Sequence, residues 1–95
     1  MTCYVVTPLA QADLDGIWDY VAADNPAAAD RLLERFRDTF ALLARHPSVG
    51  QARDELRPNL RSTSVRKYVV YFQCVDERLR IVRIVHGARD VARLF

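Results

Sequence analysis

The stretch that most restricts the fold of this chain is VAADNPAAAD, residues 21–30, where one amphipathic helix has to stop and another has to start across Asp24-Asn25-Pro26. Upstream, Thr7-Pro8 offers a hydroxyl N-cap followed by a proline whose fixed φ suits the first helical position. Leu14, Ile17, Trp18 and Val21 then recur at helical spacing, with Asp13, Asp15 and Asp19 off that stripe. Asn25-Pro26 repeats the device. Ala29, Leu32, Leu33, Phe36, Phe40 and Leu43 continue a second stripe to about Arg45, where His46-Pro47 ends it. Two helices with so short a link lie antiparallel and share one apolar surface. That surface needs a sheet to cover it.

The remaining chain supplies strands. Cys3 to Val6 is short and β-prone. Residues 46–59, HPSVGQARDELRPN, are polar and turn-rich and read as a loop, with room for a helical turn at Arg53 to Leu56. Leu60 to Arg66, Tyr68 to Val75 and Leu79 to His86 are strand candidates, the last two joined by a tight turn at Asp76-Glu77-Arg78. Links this short make consecutive strands antiparallel neighbours. Residues 89–95, RDVARLF, are compatible with one helical turn or an extended tail. The expected fold is α+β, a single domain over residues 1–95, with an N-terminal strand and an antiparallel helix hairpin packed on a small, mainly antiparallel sheet. A chain of 95 residues buries about 65% of its unfolded surface, enough for one core and no elaborate superstructure.

Charge is distributed unevenly. Residues 1–50 carry 4 Arg and 7 acidic groups, a net of −3, whereas residues 51–95 carry 10 Arg plus Lys against 5 acidic groups, a net of +5. Thirteen of the 14 cationic residues are Arg, whose planar fork suits carboxylates and phosphates. An acidic protein segment and a nucleic acid are both candidate partners, and a merely solvated basic surface is the alternative. No apolar run is long enough for a membrane span, and MTCYVVTPLAQ has neither a basic leader nor a signal-like apolar segment, so a cytoplasmic protein is expected. Cys3 and Cys74 have no neighbouring Cys or His at metal-ligand spacing and read as free thiols acting as small apolar side chains, with no metal site.

Four stretches carry a resemblance: VTPLAQADLDGIWDYVA, LARHPSVGQARDELRPNLRS, YVVYF and RIVRIVHGARD. In this order they resemble the RelE/ParE superfamily of bacterial type II toxins across nearly the whole chain. RelE-like members are ribosome-dependent endoribonucleases that cut messenger RNA; ParE-like members lack that catalytic set and are associated with inhibition of DNA gyrase. RNA cleavage needs a base, a cation for the phosphorane charge and an acid. Arg61, Arg66, Lys67, Arg83 and Arg89 are candidate phosphate clamps and His86 a candidate acid or base, but no Tyr, His, Lys or Glu follows in GARDVARLF. The other reading of His86 is a half-buried strand end that hydrogen-bonds to the next turn, and of Arg89-Asp90 an ion pair or helix cap. HGARD thus reads as an architectural stop, closer to ParE-like toxins.

The resemblance therefore implies a growth-inhibiting toxin with no cofactor and no catalysis of its own. It implies a cognate ParD-like antitoxin in a hetero-oligomer, DNA gyrase as target, a plasmid-stabilisation role and no sequence-specific DNA binding by this chain. Arg61, Arg66, Tyr71 and Arg83 are the candidate antitoxin contacts, because an Arg-rimmed apolar surface suits an acidic segment that folds on binding. Arg89, Arg93, Leu94 and Phe95 are the candidate target contacts, with Leu94-Phe95 also readable as an apolar hook that seals the sheet. If the tail contacts the target, deleting Arg93 to Phe95 is expected to abolish toxicity while leaving antitoxin affinity and thermal stability nearly intact. The alternatives are a RelE-like ribonuclease using Arg61, Arg83 and His86, and a degenerate toxin that only binds antitoxin. By strand alternation Tyr68, Val70 and Phe72 share one face and Val69, Tyr71 and Gln73 the other, so Tyr71 is expected on an exposed face.

Overall fold

The computed structural model describes residues 4–95. Strand β1 (Tyr4–Val6) leads into helix α1 (Pro8–Ala22), which turns back as helix α2 (Pro26–Arg45). Both expected caps are formed: Thr7 Oγ1 accepts from the Ala10 N–H at 3.3 Å and Asn25 Oδ1 from the Ala28 N–H at 3.1 Å. The hairpin is also clipped side chain to side chain, since Trp18 Nε1 donates to Asp30 Oδ1 at 3.0 Å. Strands β2 (Gln51–Ala52), β3 (Arg61–Val65), β4 (Tyr68–Val75) and β5 (Arg78–His86) follow, and a 3-10 turn at Val91–Arg93 closes the chain. No helix among the described residues is long and apolar enough to cross a membrane.

The sheet has five strands in the order β1-β5-β4-β3-β2. β3, β4 and β5 form the expected antiparallel meander, while β1 lies parallel to β5 with Val6 opposite Ile81. Two features differ from the sequence reading. Part of the expected 46–59 loop is β2, paired to β3 through Gln51 and Ala52. A two-residue strand has no periodicity to detect; it is held by backbone geometry, with Gly50 at φ 93° and so close to β3 that an added Cβ would lie 2.5 Å from the Ser62 carbonyl oxygen. The β4–β5 turn is tighter than expected, with Val75 opposite Arg78 and both Asp76 and Glu77 at positive φ, a type I′ pattern. The helical turn foreseen at Arg53 is formed, with Arg57 N–H donating to the Arg53 carbonyl.

The main core lies between the helix hairpin and one sheet face. Phe36, Phe40, Phe72, Ile81 and Val70 are fully buried there, and Phe36 meets Phe40 and Tyr68 at ring distances of 6.3 and 5.8 Å. Each such aromatic contributes roughly 2–3 kcal/mol by removal from water. The opposite face is not bare. Leu60, Tyr71, Val82 and Val85 form a second, smaller core, roofed by Leu56, Val91, Leu94 and Phe95. Alternation along β4 assigns its faces as expected, but Tyr71 is only 3% exposed rather than open to solvent, because the Phe95 ring lies tilted against it with centroids 5.0 Å apart.

A β-bulge places the charge of β5. Tyr71 stands opposite Arg83 and Phe72 opposite Ile81, so Val82 is an extra residue. Strict alternation from Ile81 would put Arg83 in the helix-side core. With the bulge, Ile81 and Ile84 serve that core, Val82 and Val85 the second one, and Arg83 is released to the sheet edge.

Candidate functional site

Arg83 and Arg61, central to the ribonuclease alternative, are both engaged within the fold. Arg83 Nε and Nη2 donate to the two carboxylate oxygens of Asp13 on α1, at 2.8 and 3.0 Å, with both side chains about 15% exposed. The Asp13 hydrogen bond raises the Arg83 guanidinium above its ordinary pKa, against an opposing pull from burial. Arg61 donates to the carbonyls of Ser48, Val49 and Gly50, at 2.7, 3.3 and 2.8 Å, and so ties the segment before β2 to β3.

His86 ends β5 and is exposed rather than half-buried. Its Nδ1 accepts from the Ala88 N–H at 3.2 Å, its carbonyl accepts from the Arg89 N–H, and its ring meets Tyr68 edge-on at 5.8 Å. Gly87 N–H is taken by the Lys67 carbonyl at 2.8 Å. The residue thus makes the turn contact that the architectural reading describes. Arg61, Arg83 and His86 do not converge: Arg61 borders a cleft with Pro47 and Cys74, His86 borders another with Arg53 and Arg89, and Arg83 is turned to Asp13.

Of the four candidate antitoxin contacts, Arg66 alone is exposed, at the β3–β4 turn with φ 56°. Arg61 and Arg83 are occupied as described, and Tyr71 is buried. In the tail, Asp90 caps the 3-10 turn through Ala92 N–H at 3.1 Å, as the cap reading foresaw. Arg89 and Arg93 are exposed. Leu94 and Phe95 are half-buried against the second core, with the Arg57 guanidinium 5.1 Å above the Phe95 ring. This packing is that of the apolar hook, and deleting Arg93 to Phe95 would remove it.

Cys74 is an exposed free thiol at the end of β4, not a core filler, while Cys3 lies outside the described residues. Asp13, absent from the candidate set, turned out to organise the β5 edge. Its position beside an apolar helical stripe was the available signal, but its partner is distant in sequence.

Comparison with known proteins agrees with the topology. The sequence model described as "ParE toxin of type II toxin-antitoxin system, parDE" matches residues 4–91. The chain is 30% identical over 95 residues to Toxin ParE1 of Mycobacterium tuberculosis, covering 95% of this chain and 94% of the relative. It is 34% identical over 92 residues to Toxin ParE1 of Caulobacter vibrioides, with the same coverage of 95% and 94%. It is also 35% identical over 89 residues to Toxin RelE2 of that organism, covering 94% and 99%. A solved chain from the chromosomal ParDE toxin-antitoxin system of P. aeruginosa superposes with a TM-score of 0.75 at 25% identity, over 90% of this chain and 96% of that one. With a family match over nearly its whole length and the helix hairpin on a five-stranded sheet to go with it, the chain belongs to the ParE toxin family of type II toxin-antitoxin systems.

Proposed function

We propose that this protein is a cytoplasmic toxin that inhibits DNA gyrase and is silenced by direct binding of a cognate ParD-like antitoxin. The observation that carries this reading beyond family membership is the engagement of Arg83 by Asp13 and of Arg61 by the Ser48 to Gly50 carbonyls. Both cations needed by the ribonuclease alternative already hold the fold together. The resemblance to a chain from a ParDE system supports the antitoxin as partner.

Exposure supports a narrower set of contacts than the sequence alone. Arg66, with Lys67 beside it, is the element of the candidate antitoxin set free to meet an acidic segment. Arg89 and Arg93 are the tail cations free to meet the target, and Leu94-Phe95 hold the tail on the sheet. The test is expression from a tightly repressed promoter in bacteria with labelled thymidine and labelled leucine followed over the first minutes. DNA synthesis is expected to fail first, and co-expressed antitoxin to restore growth. Early collapse of protein synthesis with cleaved messages would favour the ribonuclease reading.

A further inference from the structure

On the face opposite the helices, a cleft of about 300 Å³ opens between the Arg53 turn and the end of β5, with Arg53, Glu55, Tyr71, His86 and Arg89 on its walls. The Tyr71 ring is packed by Phe95 and the residue is 3% exposed, yet it lines the cleft, and its hydroxyl makes no hydrogen bond among the described residues. Among the described residues no buried side-chain nitrogen or oxygen lacks a partner, so the unbonded Tyr71 oxygen keeps access to solvent and can meet a ligand. Burial raises its pKa, with Arg53 opposing and Glu55 assisting, so the hydroxyl keeps its proton and is a donor.

The other groups on the cleft are also donors. Arg53 Nε is held by Ser62 Oγ at 2.9 Å, which fixes the guanidinium and leaves its terminal nitrogens without a partner among the described residues. His86 Nδ1 accepts from Ala88, which leaves Nε2 as the ring nitrogen free to donate. The Arg89 side chain is exposed and forms no ion pair among the described residues. Against these stands one carboxylate, Glu55. Two guanidinium groups, a phenol and an imidazole N–H around one small cleft match the oxygens of a phosphate group, which accept several hydrogen bonds and favour Arg.

We propose that this cleft binds the phosphate group of a small ligand, either a nucleoside monophosphate or free phosphate. Its volume lies at the lower end for small-molecule sites, which suits a phosphate with little more than one sugar and base. The site shares His86, and Arg89 of the candidate phosphate clamps, with the ribonuclease alternative, and includes no cleavage step.

The experiment is a titration of the full chain with inorganic phosphate and, separately, with AMP, at constant ionic strength, read by amide chemical shifts and calorimetry. The proposal expects saturable shifts centred on residues 86–89 and on Leu56. Tyr71→Phe removes a hydroxyl that the fold does not use, and is expected to weaken binding about tenfold, the value of one hydrogen bond to a charged group. Arg89→Gln, at an exposed position, is expected to weaken it at least as much. Tighter binding of AMP than of phosphate assigns a nucleotide, and equal binding assigns free phosphate. Absence of saturable shifts with both ligands overturns the proposal, as does binding indifferent to both substitutions in variants whose spectra show an intact fold.

Discussion

Asp13 and Arg83 lie 70 residues apart in sequence and meet through two hydrogen bonds, and the same Asp13 Oδ2 accepts the Ile84 N–H at 2.9 Å. The second contact explains the first. β1 ends at Val6, opposite Ile81, so β5 continues beyond its parallel neighbour with an open edge. α1 starts at that point, with Thr7 N–H bonded to the Ile81 carbonyl and Thr7 Oγ1 to the Val82 carbonyl. About one and a half helical turns further on, the Asp13 carboxylate takes the place of the missing strand. A single side chain thereby joins hairpin to sheet and neutralises the arginine that the bulge releases.

Removing either member leaves a largely buried charge. Asp13→Ala is expected to destabilise the protein by about 2–4 kcal/mol, and a double-mutant cycle with Arg83→Ala to give a coupling of about 1–3 kcal/mol. Urea denaturation followed by circular dichroism measures both. A cost below about 0.5 kcal/mol would mean that the pair does not hold the hairpin.

The tail separates packing from recognition. Phe95→Ala should cost about 1–2 kcal/mol and lower the melting temperature, because Phe95 covers Tyr71 and supports Arg57. The Arg93 side chain is 88% exposed and its contact to Asp90 is long, at 3.9 Å, so Arg93→Ala should leave the melting temperature unchanged while reducing toxicity. Loss of toxicity only in step with loss of stability would assign the tail to the fold alone.

Alkaline pH tests the second core. Burial raises the Tyr71 pKa above its ordinary 10.0. A raised folded-state value makes the native protein hold this proton more tightly than the unfolded chain does. The resulting stability is fully present below the unfolded pKa and is lost as pH rises through the folded pKa. Above about pH 10, stability should therefore fall more steeply in the native sequence than in Tyr71→Phe. Equal slopes in thermal melts across that range would show an open phenol.

Gly50 offers a backbone test. An alanine there would combine φ 93° with a 2.5 Å approach to the Ser62 carbonyl oxygen and a 3.3 Å approach to Phe72. Gly50→Ala should cost about 2–3 kcal/mol and loosen β2, with amide exchange at Gln51 and Ala52 accelerated.

Local chemistry made much of the fold legible. Thr7-Pro8 and Asn25-Pro26 announce both helix starts within a few residues, and the apolar stripe from Ala29 to Leu43 announces what the hairpin needs against it. Alternation along YVVYF places Tyr68 and Phe72 with the helices and Tyr71 with the second face. The contacts that were not legible depend on distant partners. The parallel pairing of Val6 with Ile81 carries no turn signal, the bulge at Val82 breaks the alternation from which faces are read, and Asp13 resembles any solvated helix carboxylate until β5 lies beside it. For the candidate site this mattered most: Arg61 and Arg83 look like free cations in the sequence, and their structural partners come from other elements.

Gyrase as the proposed target is tested by DNA supercoiling with purified gyrase and increasing amounts of this protein, with and without its antitoxin. Supercoiling is expected to fall with toxin dose, to be protected when the toxin is first mixed with antitoxin, and to fall less with Arg93→Ala. Undiminished supercoiling by gyrase, alongside cleavage of ribosome-bound message by the same preparation, would contradict gyrase as the target.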